Sequence, residues 1–436
     1  MSFQDLGLIK PLLSSLYDQG YKDPTPIQKG SIQTVLAGHD LMATAQTGTG
    51  KTAAFTLPII QKLTTAPKER RGKLRALILT PTRELAGQIQ ESVRKYGKNT
   101  QLRSFAVFGG VKIGPQIKVL KNGIDILVAT PGRLLDLHQQ RAVDLRDIEV
   151  FVLDEADRML DMGFIPDVKR IREKLPEKKQ TLMFSATFSG NIRELAETML
   201  NDPELVDVAP RNSTAKSVSQ TVIPVEKARK LELLKVIAAD NQHIQALVFT
   251  KTKHGANKVA KSLNKAGIRA DAIHGNKSQA HRNRALKQFK SGELAILVAT
   301  DIASRGLDIN QLPLVINFEL PHVAEDYVHR IGRTGRAGND GHALSLVSHD
   351  EAKLLHAIEK LSNQNIDREE IEGFEPVNQL PFRKERKPQR EGTGQGDRSK
   401  GSKRRRPSRN RRSNQNRSNQ SRSNQKSAGP RRRKAA

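Results

Sequence analysis

Val150-Phe151-Val152-Leu153-Asp154-Glu155-Ala156-Asp157 is the stretch on which the reading of this chain turns. Four apolar residues of strand character run directly into three carboxylates. Carboxylates leaving the end of a buried strand are costly unless a cation meets them. A magnesium ion held on phosphates is such a cation. Upstream, Ala45-Gln46-Thr47-Gly48-Thr49-Gly50-Lys51-Thr52 has the make-up of a phosphate loop between a strand and a helix. Gly48 and Gly50 let the backbone N–H groups of Thr47 to Gly50 face phosphates. Lys51 reaches the terminal phosphates and Thr52 offers a hydroxyl to the metal. The loop and the acidic stretch together predict ATP and Mg2+ as ligands. Thr52 and Asp154 are the expected metal contacts, and Glu155 is the expected polariser of the attacking water.

Outward from this pair, short apolar runs alternate with helical patterns. Strands are expected at 40–45, 75–80, 103–108, 124–129, 149–153 and 180–185, then at 245–250, 269–273, 294–300, 314–318 and 342–346. Helices are expected near 256–266, 279–291 and 324–331. This is βαβ grammar, so the fold class is α/β with parallel sheets, and the chemistry belongs at the C-terminal strand ends. Residues 209–219 are mostly polar and read as a linker, giving domains at 1–208 and 220–365 followed by an extension and tail at 366–436. Only the first half has a phosphate loop.

The chain has 436 residues, a formal net charge of +28 and no cysteine, which excludes disulfides and thiolate zinc sites. No apolar run approaches a membrane span and no leader precedes the first domain, so a cytoplasmic, membrane-free protein is expected. Residues 383–436 hold 21 Lys and Arg against 3 acidic residues, while residues 1–382 net +10. This tail repeats Arg-Ser-Asn-Gln from Arg412, Arg417 and Arg422 and has no aromatic residue. It is expected to be disordered and to contact nucleic acid.

Two further elements bear on a nucleotide. Pro24-Thr25-Pro26-Ile27-Gln28 would hold a glutamine amide rigidly, so Phe3 and Gln28 are candidates for gripping adenine. His329-Arg330-Ile331-Gly332-Arg333-Thr334-Gly335-Arg336 is an Arg-rich element with glycines for close approach. Arg333 and Arg336 reaching across from the second domain would meet the charge on the transferred phosphoryl group, so hydrolysis would need domain closure.

With these stretches in hand, residues 1 to about 365 resemble a DEAD-box ATP-dependent RNA helicase. The other matching stretches are Pro81-Thr82-Arg83-Glu84-Leu85-Ala86, Gly109-Gly110, Thr130-Pro131-Gly132-Arg133, Ser185-Ala186-Thr187, Gln279 with Arg282, and Ala299-Thr300-Asp301 through Arg305-Gly306-Leu307-Asp308. The resemblance implies two tandem RecA-like domains. It implies that Phe3 stacks on adenine, that Gln28 reads its edge and that Asp308 lies near the ribose. It makes Asp157, Ser185, Thr187 and His329 the coupling residues. It draws an RNA track over Arg83, Gly110, Thr130 and Arg133 in the first domain and Gln279, Arg282 and Thr300 in the second.

Backbone contacts along such a track imply local, non-processive unwinding with low sequence preference. RNA is the expected partner and the core is expected to be monomeric. Ribosomal precursor particles, RNA decay and cold adaptation are all compatible settings. The tail and motif wording resemble the bacterial RhlE-type subgroup most. An ATP-gated RNA clamp and, less readily, a DNA helicase are the rival readings.

Overall fold

The structure, a computed structural model, describes residues 1–45, 48–67, 72–208, 218–240, 244–304, 307, 309, 311–335 and 341–381. Residues 209–217 of the expected linker, the tail from 382, and Thr47, Asp308 and Arg336 lie outside the described residues, while Ser219 opens a strand.

Two parallel seven-stranded sheets organise the chain. The first contains β1 (Leu41–Thr44), β2 (Ala76–Leu79), β3 (Ser104–Val107), β4 (Ile126–Ala129), β5 (Val150–Leu153), β6 (Gln180–Ser185) and β7 (Glu204–Asp207). The second contains β8 (Ser219–Pro224), β9 (Ala246–Thr250), β10 (Ala270–Ile273), β11 (Ile296–Thr300), β12 (Leu314–Asn317), β13 (His342–Val347) and β14 (Asp367–Arg368). Their orders are β3-β4-β2-β5-β6-β1-β7 and β10-β11-β9-β12-β13-β8-β14, one order used twice. These are two tandem RecA-like α/β domains.

Alternation along each strand explains why the runs read as continuously apolar. In the first sheet Ile78, Val152 and Phe184 join the core on one face, while Leu77, Phe151 and Met183 join the core on the other. Both faces are covered by helices, as parallel sheets require. Phe151 is fully buried, and truncating such a ring to alanine costs about 3–5 kcal/mol.

The twofold use of one order exposes an asymmetry. In the first domain the helix after β1 opens with Lys51; in the second the helix after β8 opens with Lys230. Lys230 is sealed: its ammonium bonds to Glu351 and donates to the Phe318 carbonyl at 3.1 Å. Glu351 also takes Lys251 at 3.1 Å. An internal ion-pair cluster thus fills the second domain where the first keeps a phosphate loop.

Order also runs past the point where the sequence pattern fades. β14 pairs with β8, and Ile366, Phe374 and Leu380 are buried. Arg229 lies over the Phe374 ring at 4.3 Å, and Arg368 donates to the carbonyls of Leu380 and Pro381. The segment to Pro381 is therefore a strap on the second domain.

Candidate nucleotide cleft and RNA face

The phosphate loop is shaped by two left-handed glycines, Gly48 at φ 85° and Gly50 at φ 91°. Gly50 is also fixed by its neighbour, since a Cβ there would overlap the Gln28 amide. The Gln28 Nε2 donates to the Gly50 carbonyl at 3.2 Å, and its Oε1 accepts from the Thr25 N–H at 2.9 Å. Gln28 is thus buried and tied to the protein through both amide atoms. Lys51 opens the helix Lys51–Thr65, and its ammonium donates to the Ala45 carbonyl at 2.7 Å.

A cleft of about 360 Å³ opens at this loop. Gly48, Gly50, Lys51, Thr52, Asp154 and Glu155 line it from the first domain, and Leu307 and Arg333 line it from the second. Arg333 donates to the Leu307 carbonyl at 2.9 Å. Asp154 follows β5 directly, and burial pushes its carboxyl up to about 7 despite the nearby Lys51 charge. Glu155 has a left-handed backbone at φ 54° and ψ 52°. For a non-glycine residue such a conformation costs about 1–3 kcal/mol and persists only where the surroundings enforce it.

These residues fit a magnesium nucleotide. The left-handed glycines form a cradle, and an ammonium lies at its floor. Among the described residues no cluster of three or more acidic or histidine side chains could hold a metal unaided. Magnesium bound by one or two protein oxygens plus phosphates needs no such cluster.

The aromatic wall differs from expectation. Phe3 is 4% exposed, packed in the core, and absent from the cleft lining. Tyr21, 38% exposed, lines the cleft instead, with Phe3 edge-on behind it at 6.3 Å and Tyr96 edge-on at 6.1 Å. The sequence reading missed Tyr21; its signal was its place three residues before Pro24, ahead of the rigid Pro24–Gln28 segment.

The residues expected to couple the domains come together. Asp157 accepts from the Ala186 N–H at 3.1 Å and from the Thr187 hydroxyl at 3.4 Å, and the Ser185 hydroxyl accepts from the Thr187 N–H at 3.3 Å. Arg158 reaches Asp326 of the second domain at 3.2 Å, and His329 lies 3.9 Å from the same carboxylate. Burial pushes the His329 imidazole below its usual value, against the pull of Asp326 and Asp157.

Arg330 was passed over in the sequence. It makes a two-pronged pair with Asp301 at 2.6 and 2.8 Å and donates to Asn317 and to the Glu319 carbonyl. It thereby fixes the helix Ala324–Ile331 to the ends of β11 and β12.

The expected RNA residues sit at the same strand ends. Arg83 opens the helix after β2 and packs on Gly110, whose φ is 75° and where a Cβ would overlap the guanidinium. Thr130 caps the helix after β4, and Arg133 on that helix donates to the Val111 carbonyl at 3.1 Å. In the second domain Gln279 and Arg282 face inward across the domain junction. Glu84 takes the Gln279 amide at 2.8 Å and the Arg282 guanidinium at 3.0 Å. Thr300 ends β11 and is buried.

Residues 25–195 match the family model described as DEAD/DEAH box helicase, and residues 228–338 match the helicase conserved C-terminal domain. The DEAD-box ATP-dependent RNA helicase CshA of Bacillus subtilis is 40% identical over 368 residues, covering 84% of this chain and 74% of that one. Its Geobacillus kaustophilus counterpart is 41% identical over 367 residues, covering 84% and 78%. Among solved structures, S. cerevisiae Dbp5 bound to RNA and ADP BeF3 superposes with a TM-score of 0.74 at 31% identity, covering 85% of this chain and 95% of that one. Mss116 bound to ssRNA and UDP-BeF gives 0.77 at 29% identity, covering 85% and 79%.

The relatives named CshA overturn the RhlE-type expectation. That expectation rests on motif wording shared across the family and on a low-complexity tail, and composition of that kind carries little subgroup information. Among the described residues no helix is long and apolar enough to cross a membrane.

Proposed function

The chain belongs to the DEAD-box ATP-dependent RNA helicases, and from that membership we propose that it opens short RNA duplexes locally, one domain closure at a time, with little sequence preference. It is an ATP-hydrolysing RNA helicase; the proposal concerns how its own residues do the work. The observation that carries it is that one pair of domains lines both sites. Lys51, Asp154 and Glu155 share a cleft with Leu307 and Arg333, and Glu84 joins Gln279 and Arg282 across the same junction.

The bound magnesium nucleotide supplies the phosphoryl group whose hydrolysis drives the cycle. Thr52 and Asp154 would hold the metal, and Lys51 would leave the Ala45 carbonyl for the terminal phosphates. Glu155 accepts the proton of the attacking water, and Arg333 brings positive charge from the second domain, with Arg336 as its expected companion. Tyr21, rather than Phe3, offers a ring face to the base, and Gln28 ties base recognition to the Gly50 carbonyl. Asp157, Ser185, Thr187 and His329 transmit the state of this cleft to the junction. Asp308 is kept as the ribose contact by family resemblance.

Arg83, Thr130 and Arg133 would grip phosphates beside Gly110 and leave base edges unread. A strand held through its backbone at two joined domains loses a few base pairs per closure. By composition, the Arg-rich tail keeps RNA near this face.

Glu155→Gln in the full chain tests the chemistry. RNA-stimulated ATP turnover should fall by a factor of about 10²–10⁴ while RNA binding persists. A duplex series in the wild-type protein tests the unwinding mode: amplitude should drop steeply as the duplex lengthens. Equal displacement of long and short duplexes would refute local opening.

A further inference from the structure

Charge in the folded core is concentrated in one place. Residues 251–290 carry eleven Lys and Arg against one Asp, a net +10, which equals the whole net charge of residues 1–382. The remainder of the core balances to zero. Part of this cluster is already committed: Lys251 to Glu351, Arg282 to Glu84, and Asp271, the one acid, to His281 at 3.1 Å.

Four of the remaining cations lie on one helix, Lys253–Lys265. Its Ala256, Val259, Ala260 and Leu263 are buried against the second sheet. Its outer side chains include Lys253, His254, Lys258, Lys261 and Lys265, and the helix has no acidic residue. An ordinary solvated helix face mixes Glu with Lys at spacings of three and four, which stabilises the helix. Here Lys258, Lys261 and Lys265 follow that spacing with no acidic partner, and like charges so placed destabilise the isolated helix. The stripe is about 16 Å long at the helical rise per residue.

Its upper end adjoins the proposed RNA track. The Lys253 ammonium donates to Asn276 Oδ1 at 2.8 Å, in the loop that leads to Gln279. The helix joins β9 to β10 in a parallel sheet, so from there it runs back against the strand direction, away from the C-terminal strand ends.

The geometry points to a second RNA-binding surface: the outer face of the helix Lys253–Lys265 binds the phosphates of RNA extending beyond the strand held in the track. The inference rests on the track reading above for its starting point. It assigns Lys258, Lys261 and Lys265 to sequence-independent phosphate contact, so they contribute affinity for long RNA and nothing to hydrolysis.

The test is a Lys258→Gln, Lys261→Gln, Lys265→Gln triple variant of the full chain. Its binding is measured against salt with a short single strand confined to the track and with a long one. Three lost phosphate contacts should lower the log–log salt slope for the long RNA by roughly 2 and weaken its binding about tenfold at low salt. Short-RNA affinity and turnover at saturating RNA should hold. A control triple, Lys169→Gln, Lys174→Gln, Lys178→Gln, removes the same charge from exposed sites on the first domain and should leave the long-RNA slope intact.

An unchanged slope in the first triple would overturn the assignment and leave the face to an acidic protein. Equal losses in both triples, or equal losses on both RNAs, would overturn it in favour of a general field effect. Arg133→Gln separates the two readings, because it should weaken short and long RNA alike. If it weakens neither, the track reading fails, and the stripe stands or falls on the long-RNA slope.

Discussion

The Glu84 carboxylate of the first domain lies 3.0 Å from the Arg282 guanidinium of the second, with both side chains almost fully enclosed. Burial pulls the Arg282 guanidinium below its usual value, and Glu84 opposes that pull. The same carboxylate takes the Gln279 amide, so two residues of the proposed track are spoken for by a third. Glu84→Gln should leave the Arg282 charge enclosed without its counter-ion and weaken domain association by about 1–3 kcal/mol. The readout is a rise in the RNA concentration needed for half-maximal ATP turnover. Added to Arg282→Gln, Glu84→Gln should change little further, and full additivity of the two would show that they do not act as a pair.

Tyr21 and Phe3 separate into different jobs. Tyr21→Ala removes a ring from the cleft wall, and stacking on a base is worth about 1–3 kcal/mol, so the nucleotide KM should rise roughly five- to a hundredfold with folding intact. Phe3→Ala empties a core site and should cost about 3–5 kcal/mol of stability in denaturant titration. A larger nucleotide defect in Phe3→Ala than in Tyr21→Ala would reverse the assignment.

His329 predicts a pH slope. Burial lowers its proton affinity in the fold, among Asp326, Asp157 and Arg158, while the unfolded chain titrates near 6.5. As pH falls through that value the unfolded state takes up a proton that the native state resists, so stability falls with acidification and is fully present above it. Denaturation at pH 7.5 and pH 5.5 should give a shallower loss for His329→Gln than for the parent chain. Identical losses would remove His329 from the account.

Truncation locates the end of the second domain. Ending the chain after Pro381 keeps Ile366, Phe374 and Leu380 in their sites and should leave thermal stability unchanged. Ending it at residue 365 removes all three and should lower the melting temperature by several degrees at least. Equal melting temperatures for the two would mean the strap contributes no stability.

The sequence disclosed what is carried by local pattern. β1 to β6 were legible because buried parallel strands are runs of apolar residues, and the cradle because glycines and a lysine must follow one of them. β7 was hidden because it is an exposed edge with Leu205 turned outward, β8 because Ser219 closes the expected linker and Gln220-Thr221 are polar, and β14 because it is two residues long. The strap was missed since Phe374 and Leu380 are too sparse to make a period. Phe3 and Tyr21 are both aromatic, and only packing tells which is in front. Glu84 meets its partners 195 and 198 residues away, a distance no local pattern spans.

Lys230 sealed by Glu351 has a consequence for energy supply. Two sheets of one design leave one of the two equivalent positions open to phosphate, so on the proposed cycle each chain would have a single stroke per opening and closing. The work available to separate strands in a cycle would then be capped by one nucleotide, whatever the length of the RNA.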